Sequence, residues 1–266
     1  MTATDASAVA PGLATTILAD LDAGRRRAAI PDPTVPGGWR TDPEVKAAIL
    51  DCFRDRATVE WDLGGALRFR DRVGLPVKDL LDGPWRVVPG GTSVRAGVYL
   101  APGVVIMPPS FVNIGAWIGE DTMVDSHVLV GSCAQVGARV HLSAGVSIGG
   151  VLEPAGARPV IVEDGAFIGA GSALLEGVLV GEGAVIGAGV VLTGTSRLYD
   201  LVRGRVLAGR PDAPLAVPPG AVVVPGSRTL DGEFAAANGL SVSVALLVKD
   251  RDAGTDARIA LEDSLR

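Results

Sequence analysis

The chain has 266 residues, with 24 Lys and Arg against 30 Asp and Glu, for a formal charge of −6 at pH 7. That length suits one large domain or a main domain with small appendages, and the acidic balance excludes a nucleic-acid binder, which needs a net basic face. Its two cysteines, Cys52 and Cys133, are too few and too far apart for a disulfide framework or a zinc site, which fits a reducing cytoplasm.

In chain order, residues 1–24 lack the basic start and uninterrupted apolar stretch of a signal peptide. Mean hydropathy is high at +0.37, yet apolar residues come in short runs rather than the roughly 20 of a membrane span, so no membrane partner is expected. Segments 11–29 and 41–55 read as helices, the second with Thr41 as N-cap and Pro43 in its first turn. Pro31, Pro33, Pro36, Gly37 and Gly38 make the loop between them. Residues 1–93 are expected to form a mainly helical domain that caps the open end of a repeat region beginning at Val94.

From Val94 onward a repeat of six takes over. Val94, Leu100, Ile106, Val112, Ile118, Val124, Val130, Val136, Leu142 and Ile148 recur without a slip, and four places after each stands a mostly small residue. After a break the frame resumes at Val162, Ile168, Leu174, Val180, Ile186, Leu192 and Leu198, and two units beginning at Val217 and Val223 close it. A period of six is no α-helix, whose apolar stripe recurs every 3.6 residues; it suits a short strand and a turn, aliphatic and small residues facing in. The composition agrees: 36 glycines, about twice the usual share, supply turns, and only 11 aromatic residues leave a core of small aliphatics. Three units make a triangular coil of about 18 residues, and stacked coils make a parallel β-helix. The solenoid is expected over 94–228, with loops extruded near 153–161 and 199–216. A C-terminal segment, 229–266, holds a strand at Leu240–Val248 and a helix at Asp256–Leu265.

Chemistry is narrowed by what is scarce. There are two histidines, His127 and His141, and no phosphate loop, dinucleotide fingerprint or nucleophile elbow stands between a strand and a helix. No metal constellation is expected. His141, last in its unit, is either a general base on a hydroxyl or a corner histidine bonded to backbone. Cys133 reads as a small buried residue rather than a nucleophile. Asp125 follows an inward valine and so points outward; Glu176 stands two places after Leu174, at a corner. By pattern alone each is either a functional acid or one the repeat tolerates.

An ordered set of segments is more specific: Trp85–Pro89, Met107–Ala116, Thr122–Ser126, Gly131-Ser-Cys-Ala-Gln135, Val140–Ser143, Ile148-Gly-Gly-Val-Leu-Glu-Pro154, Phe167–Ala170, Leu175–Gly177 and Ser196-Arg-Leu-Tyr-Asp200. This set resembles the tetrahydrodipicolinate N-succinyltransferase family of hexapeptide-repeat acyltransferases. The likeness spans about 180 residues, continues in Ala245–Lys249, and is looser from Leu21 to Pro76.

The resemblance implies a left-handed parallel β-helix, a homotrimer with active sites between subunits, and succinyl-CoA as cosubstrate with no permanent cofactor. It implies a cytoplasmic enzyme of lysine and diaminopimelate biosynthesis that succinylates the amine of a small dicarboxylate acceptor. It implies a catalytic acidic pair, Asp125 and Glu176, with Asp125 also touching substrate and Arg86 holding a substrate carboxylate. Arg197, Arg203, Arg205 and Arg210 are candidates for the CoA phosphates. The zinc-binding carbonic-anhydrase branch of the superfamily needs three histidines, which two cannot supply. Gly171 stands where the family commonly carries arginine, so acylation of another amine, an amino sugar or a specialised amino acid, with acetyl or succinyl donor, is the alternative. A non-catalytic scaffold on the same solenoid is a third reading.

Overall fold

The computed structural model describes residues 13–65, 67–210 and 212–256 of the chain. Its centre is the expected left-handed parallel β-helix, with three sheets as the faces of a triangular prism. The first face starts at Arg86–Val87 and runs through Val105–Ile106, Met123–Val124, His141–Leu142, Phe167–Ile168 and Val185–Ile186. The second stacks Ser93–Val94, Phe111–Val112, Leu129–Val130, Ser147–Ile148, Ala173–Leu174 and Val191–Leu192. The third stacks Tyr99–Leu100, Trp117–Ile118, Gln135–Val136, Ile161–Val162, Leu179–Val180 and Ala216–Val217. The first coil thus opens one unit before Val94.

Each strand of the three faces pairs in register with the strand one coil away, so the aliphatics of the frame from Val94 to Leu192 lie over their equivalents and are buried; Leu198 is buried too but pairs with Ala245, and Val217 lies over Val180 in its place. Full burial of a Val, Leu or Ile contributes about 1.5–3 kcal/mol. Where the small partner is polar, its hydroxyl is satisfied inside: Ser110 Oγ donates to Met107 O and Asp125 O, Thr122 Oγ1 to Gly137 O and Ser172 Oγ to Gly187 O, at 2.7–2.9 Å.

Helices α1 (Leu13–Asp22) and α2 (Pro43–Arg54) do not close the coil's open end. They lie along the corner between the second and third faces, where Ile17, Leu21, Val45, Ile49 and Cys52 share a core with Ile114 and Cys133. The cause is local: a Cβ on Gly97 or Gly115 would meet Leu18 or Ile49 at 3.0 and 2.6 Å, so bare corners make the groove the helices fill. Leu80 and Trp85, just before the first strand, pack on the solenoid core instead. The cap of α2 is Asp42 rather than Thr41; its carboxylate accepts from the N–H groups of Glu44 and Val45 at 3.0 and 3.3 Å.

Among its described residues the N-terminal part is not mainly helical. It also contains two antiparallel pairs, Ala29–Pro31 with Trp39–Thr41 and Thr58–Leu63 with Leu67–Arg72. The first pair lies on the third face: Arg27 stacks 4.0 Å from the Trp117 ring and donates to Gln135 Oε1 at 3.0 Å, and Trp39 Nε1 donates to Glu163 Oε1 at 2.9 Å.

At the far end Ala221–Thr229 extends the first face and turns back through α3 (Glu233–Ala237) to Ser241–Asp250, the strand expected at 240–248. The excursion after residue 196 is a hairpin, Arg197–Asp200 with Arg205–Ala208, that joins this same sheet. The expected C-terminal helix lies, beyond Asp256, outside the described residues. Among the described residues no helix is long and apolar enough to cross a membrane.

Candidate active site

Asp125 leaves the first face at its corner with the second. Its N–H donates to Leu142 O at 2.9 Å, its carbonyl accepts from Ser110 Oγ at 2.9 Å, and its Oδ1 accepts from Ser126 N at 2.6 Å. Backbone and carboxylate are therefore both held, and the half-buried side chain lies on the outside of the coil between Met107 and Ser143 of the adjoining coils. Arg86 is exposed on this same face two coils below, beside Trp85, Pro89 and Gly90 in a hollow of 430 Å³.

Glu176 is placed elsewhere. It follows Ala173–Leu174 at the corner between the second and third faces, exposed, with φ +54°. There it lines a 930 Å³ cavity with Trp39, Thr41, Leu152, Arg158 and Asp212. The extruded loop forms one wall, pinned by the buried Lys46 of α2, whose ammonium donates to Ala157 O, and by Thr41 Oγ1 on Gly156 O at 3.4 Å. Within one chain the two acids occupy different corners two coils apart, which at the strand spacing is about 10 Å along the axis.

Of the four arginines read as phosphate ligands, Arg203 and Arg205 meet on Asp200, and each of these two is taken up by carboxylates. Arg203 forks onto both oxygens of Asp250 at 3.0 Å, and Arg205 Nε bonds Asp200 Oδ2 at 3.0 Å. The buried Asp200 carboxyl sits below the usual carboxylate range: burial pushes it up, but the Arg205 hydrogen bond, the Arg203 N–H and both positive charges outweigh that. Arg210 reaches Asp212 at 3.4 Å. Arg197, exposed, shares a 240 Å³ hollow with Tyr199 and Arg228.

His141 is in a strand rather than at a corner, buried and stacked on Phe167 at 4.9 Å. His127 is the corner residue, exposed, at φ +61°. Cys133 is fully buried, and burial pushes its thiol up to about 12. Among the described residues no group of His, Cys, Asp and Glu side chains is arranged to hold a metal ion. Gly171 occupies the corner of Asp125 two coils above His127, with φ +68° and open space where a side chain would project.

Lys46, Trp39 and Arg158 carried no signal of their own in the sequence. The break in the repeat flagged the loop that bears Arg158, but its bonding partners are supplied by segments remote in sequence.

Comparison with known proteins finds a match to the family model described as the hexapeptide repeat of succinyl-transferase over residues 159–194. A 2,3,4,5-tetrahydropyridine-2,6-dicarboxylate N-succinyltransferase from Dechloromonas aromatica is 43% identical over 256 residues, covering 94% of this chain and 88% of that one. One from Idiomarina loihiensis is 44% identical, covering 94% and 87%. Among solved structures, a candidate 2,3,4,5-tetrahydropyridine-2-carboxylate N-succinyltransferase from Campylobacter jejuni is 22% identical, covering 67% of this chain and 46% of that one at a TM-score of 0.48.

Proposed function

The chain belongs to the 2,3,4,5-tetrahydropyridine-2,6-dicarboxylate N-succinyltransferase family, and from that membership we infer that it transfers succinyl from succinyl-CoA to the amine of ring-opened tetrahydrodipicolinate, a step of diaminopimelate and lysine biosynthesis. The observation that carries this is identity above 40% along 94% of the chain. The protein is an acyltransferase, and the reading places it in the cytoplasm.

The α-amine of the acceptor must shed a proton before it can attack the thioester carbonyl. Asp125 is the base in this reading. Its backbone is fixed by Leu142 and Ser110 and its Oδ1 by Ser126 N–H, so one carboxylate oxygen is oriented and the other is left for the amine. Attack yields a tetrahedral oxyanion, which collapses as the CoA thiolate leaves and takes up a proton. The thioester supplies the activation, so no covalent enzyme intermediate is needed, and backbone N–H groups of the cleft stabilise the oxyanion. Arg86, on the face of Asp125, holds an acceptor carboxylate. Arg197 is the arginine best placed for a CoA phosphate, because Arg203 and Arg205 already serve Asp250 and Asp200.

Asp125 and Glu176 point from different corners, so one cleft needs two copies. In a cyclic homotrimer one subunit's first corner meets its neighbour's second, and the acids then line a shared site. The supporting observation is their separation within one chain.

The test is free-CoA release with succinyl-CoA and acetyl-CoA, each against tetrahydrodipicolinate and an amino-sugar acceptor. Succinyl-CoA with the dicarboxylate is expected to turn over fastest. Gly171, bare where the family commonly carries arginine, favours a second reading with a different amine; preference for the amino sugar would establish it. Asp125→Asn and Glu176→Gln are each expected to stay folded and to lose ~10²–10⁴ in rate.

A further inference from the structure

Solenoid corners carry their left-handed residue three places after the inward aliphatic. Gly97, Gly115, Cys133 and Gly177 follow Val94, Val112, Val130 and Leu174 in this way, as Asp121, His127 and Arg139 follow Ile118, Val124 and Val136. Glu176 breaks the rule. It is two places after Leu174 at φ +54°, with Gly177 next at +74°, and among the described residues no other strand of the solenoid's three faces has a positive φ in that slot. A left-handed residue with a side chain costs about 1–2 kcal/mol. Such strain persists where the surroundings over-determine it.

Here the surroundings converge on one side chain. Arg158, near the end of the extruded loop, donates through Nε to Gly177 O at 2.9 Å and through Nη2 to Pro214 O at 2.9 Å and Leu215 O at 3.4 Å. One guanidinium therefore joins the turn bearing Glu176 to the end of the second excursion, and both segments line the 930 Å³ cavity. The packing leaves no slack: a Cβ on Gly177 would lie 2.4 Å from Arg158 O, and one on Gly194 2.5 Å from Glu176 O. Burial lowers the guanidinium's pKa, so its charge is held at a cost that three carbonyls offset.

We propose that Arg158 is a positioning residue that fixes the Glu176–Gly177 turn, and with it the direction of the Glu176 carboxylate, by tying that turn to Pro214 and Leu215. This rests on the reading that Glu176 takes part in the reaction. The guanidinium acts through Glu176 and touches no reacting atom.

The experiment is a double-mutant cycle on the full-length protein, with Arg158→Gln and Arg158→Lys made alone and on Glu176→Gln, followed by free-CoA release and thermal melting. Arg158→Gln is expected to lower kcat about 10- to 100-fold, as a displaced reacting group does, with KM for succinyl-CoA within about twofold. Arg158→Lys, which keeps a cation but loses the fork, falls between, and it carries the cycle if the glutamine variant does not fold. On Glu176→Gln neither change is expected to lower the residual rate further. Normal kcat in Arg158→Gln beside an inactive Glu176→Gln overturns the proposal and leaves a purely structural clamp. Losses that multiply in both backgrounds also overturn it. Full activity of Glu176→Gln alone instead removes Glu176 from the reaction, a failure of the functional reading that the cycle separates from the first two.

Discussion

At the scale of single residues, the contrast between Asp125 and Glu176 shows how one repeat supplies two kinds of site. Asp125 sits in an ordinary slot and is oriented by hydrogen bonds from the coil itself, Ser110 below and Ser126 beside it. Glu176 sits in an exceptional slot whose backbone angle the repeat does not call for, and Arg158, a side chain from outside the repeat, bonds the carbonyl of the next residue, Gly177. Cys133 illustrates the opposite outcome, a reactive residue type made inert by placement. It is fully buried with its thiol raised to about 12, and burial also raises the thiol of Cys52. Because the thiolate is the reactive form, the native protein is expected to show essentially no thiol reaction with an aromatic disulfide reagent at pH 8, and both thiols after unfolding. Rapid native-state labelling that persists in Cys52→Ser would show that the corner at Cys133 opens.

At the scale of elements, stability is stored coil by coil. Ile186 is buried between Ile168 of the coil below and Val223 of the coil above. Ile186→Ala is expected to cost about 2–5 kcal/mol, read as a lowered midpoint in denaturant melts. The hairpin 197–208 adds charge to its strand pairing and its buried Leu198, with Asp200 between Arg203 and Arg205. Asp200's folded pKa lies below its unfolded value of about 3.9. Its contribution is therefore fully present above pH 4 and is lost as pH falls through the lower folded value. Asp200→Asn should be less stable than the parent at pH 7, and the difference should shrink in melts taken progressively below pH 4. A difference independent of pH would show that shape rather than charge holds the hairpin.

At the scale of the whole molecule, the solenoid is a rigid post that presents acids at separate corners, and its excursions and N-terminal helices are built onto its sides. The proposed site shared between copies is tested at this scale. The protein is expected to sediment near three times 27.0 kDa. Mixing inactive Asp125→Asn with inactive Glu176→Gln under subunit exchange should restore activity, up to about a third of the parent level per mixed trimer, because symmetry repairs one cleft of three. With exchange verified, no recovery would mean that the two acids do not meet across an interface.

The solenoid was legible because its signal is local and repeated. A six-residue period states which residues face inward, and ladder pairing one coil away then admits a single register, so the frame from Val94 to Leu192 is the register of the structure, while Leu198 leaves the third face to pair with Ala245 and Val217 takes the place over Val180. The placing of Asp125 and Glu176 at different corners follows from counting units: seven separate them in the frame, which is two coils and one face. What sequence periodicity could not carry was anything decided by contacts between remote segments. The helices 13–22 and 43–54 were readable as helices, but their seat along a corner depended on bare glycines at 97 and 115, whose grooves exist only once coils are stacked. Of the candidate phosphate arginines, Arg205 and Arg210 meet carboxylates within five residues of themselves, whereas Arg203 is taken up by Asp250, 47 positions away, only on folding. Arg158 was one loop residue among several until Gly177 and Pro214, 19 and 56 positions away, converged on its guanidinium. A local pattern fixes the period and the inward face; which charges meet depends on chain closure over long separations, which the tertiary structure alone decides.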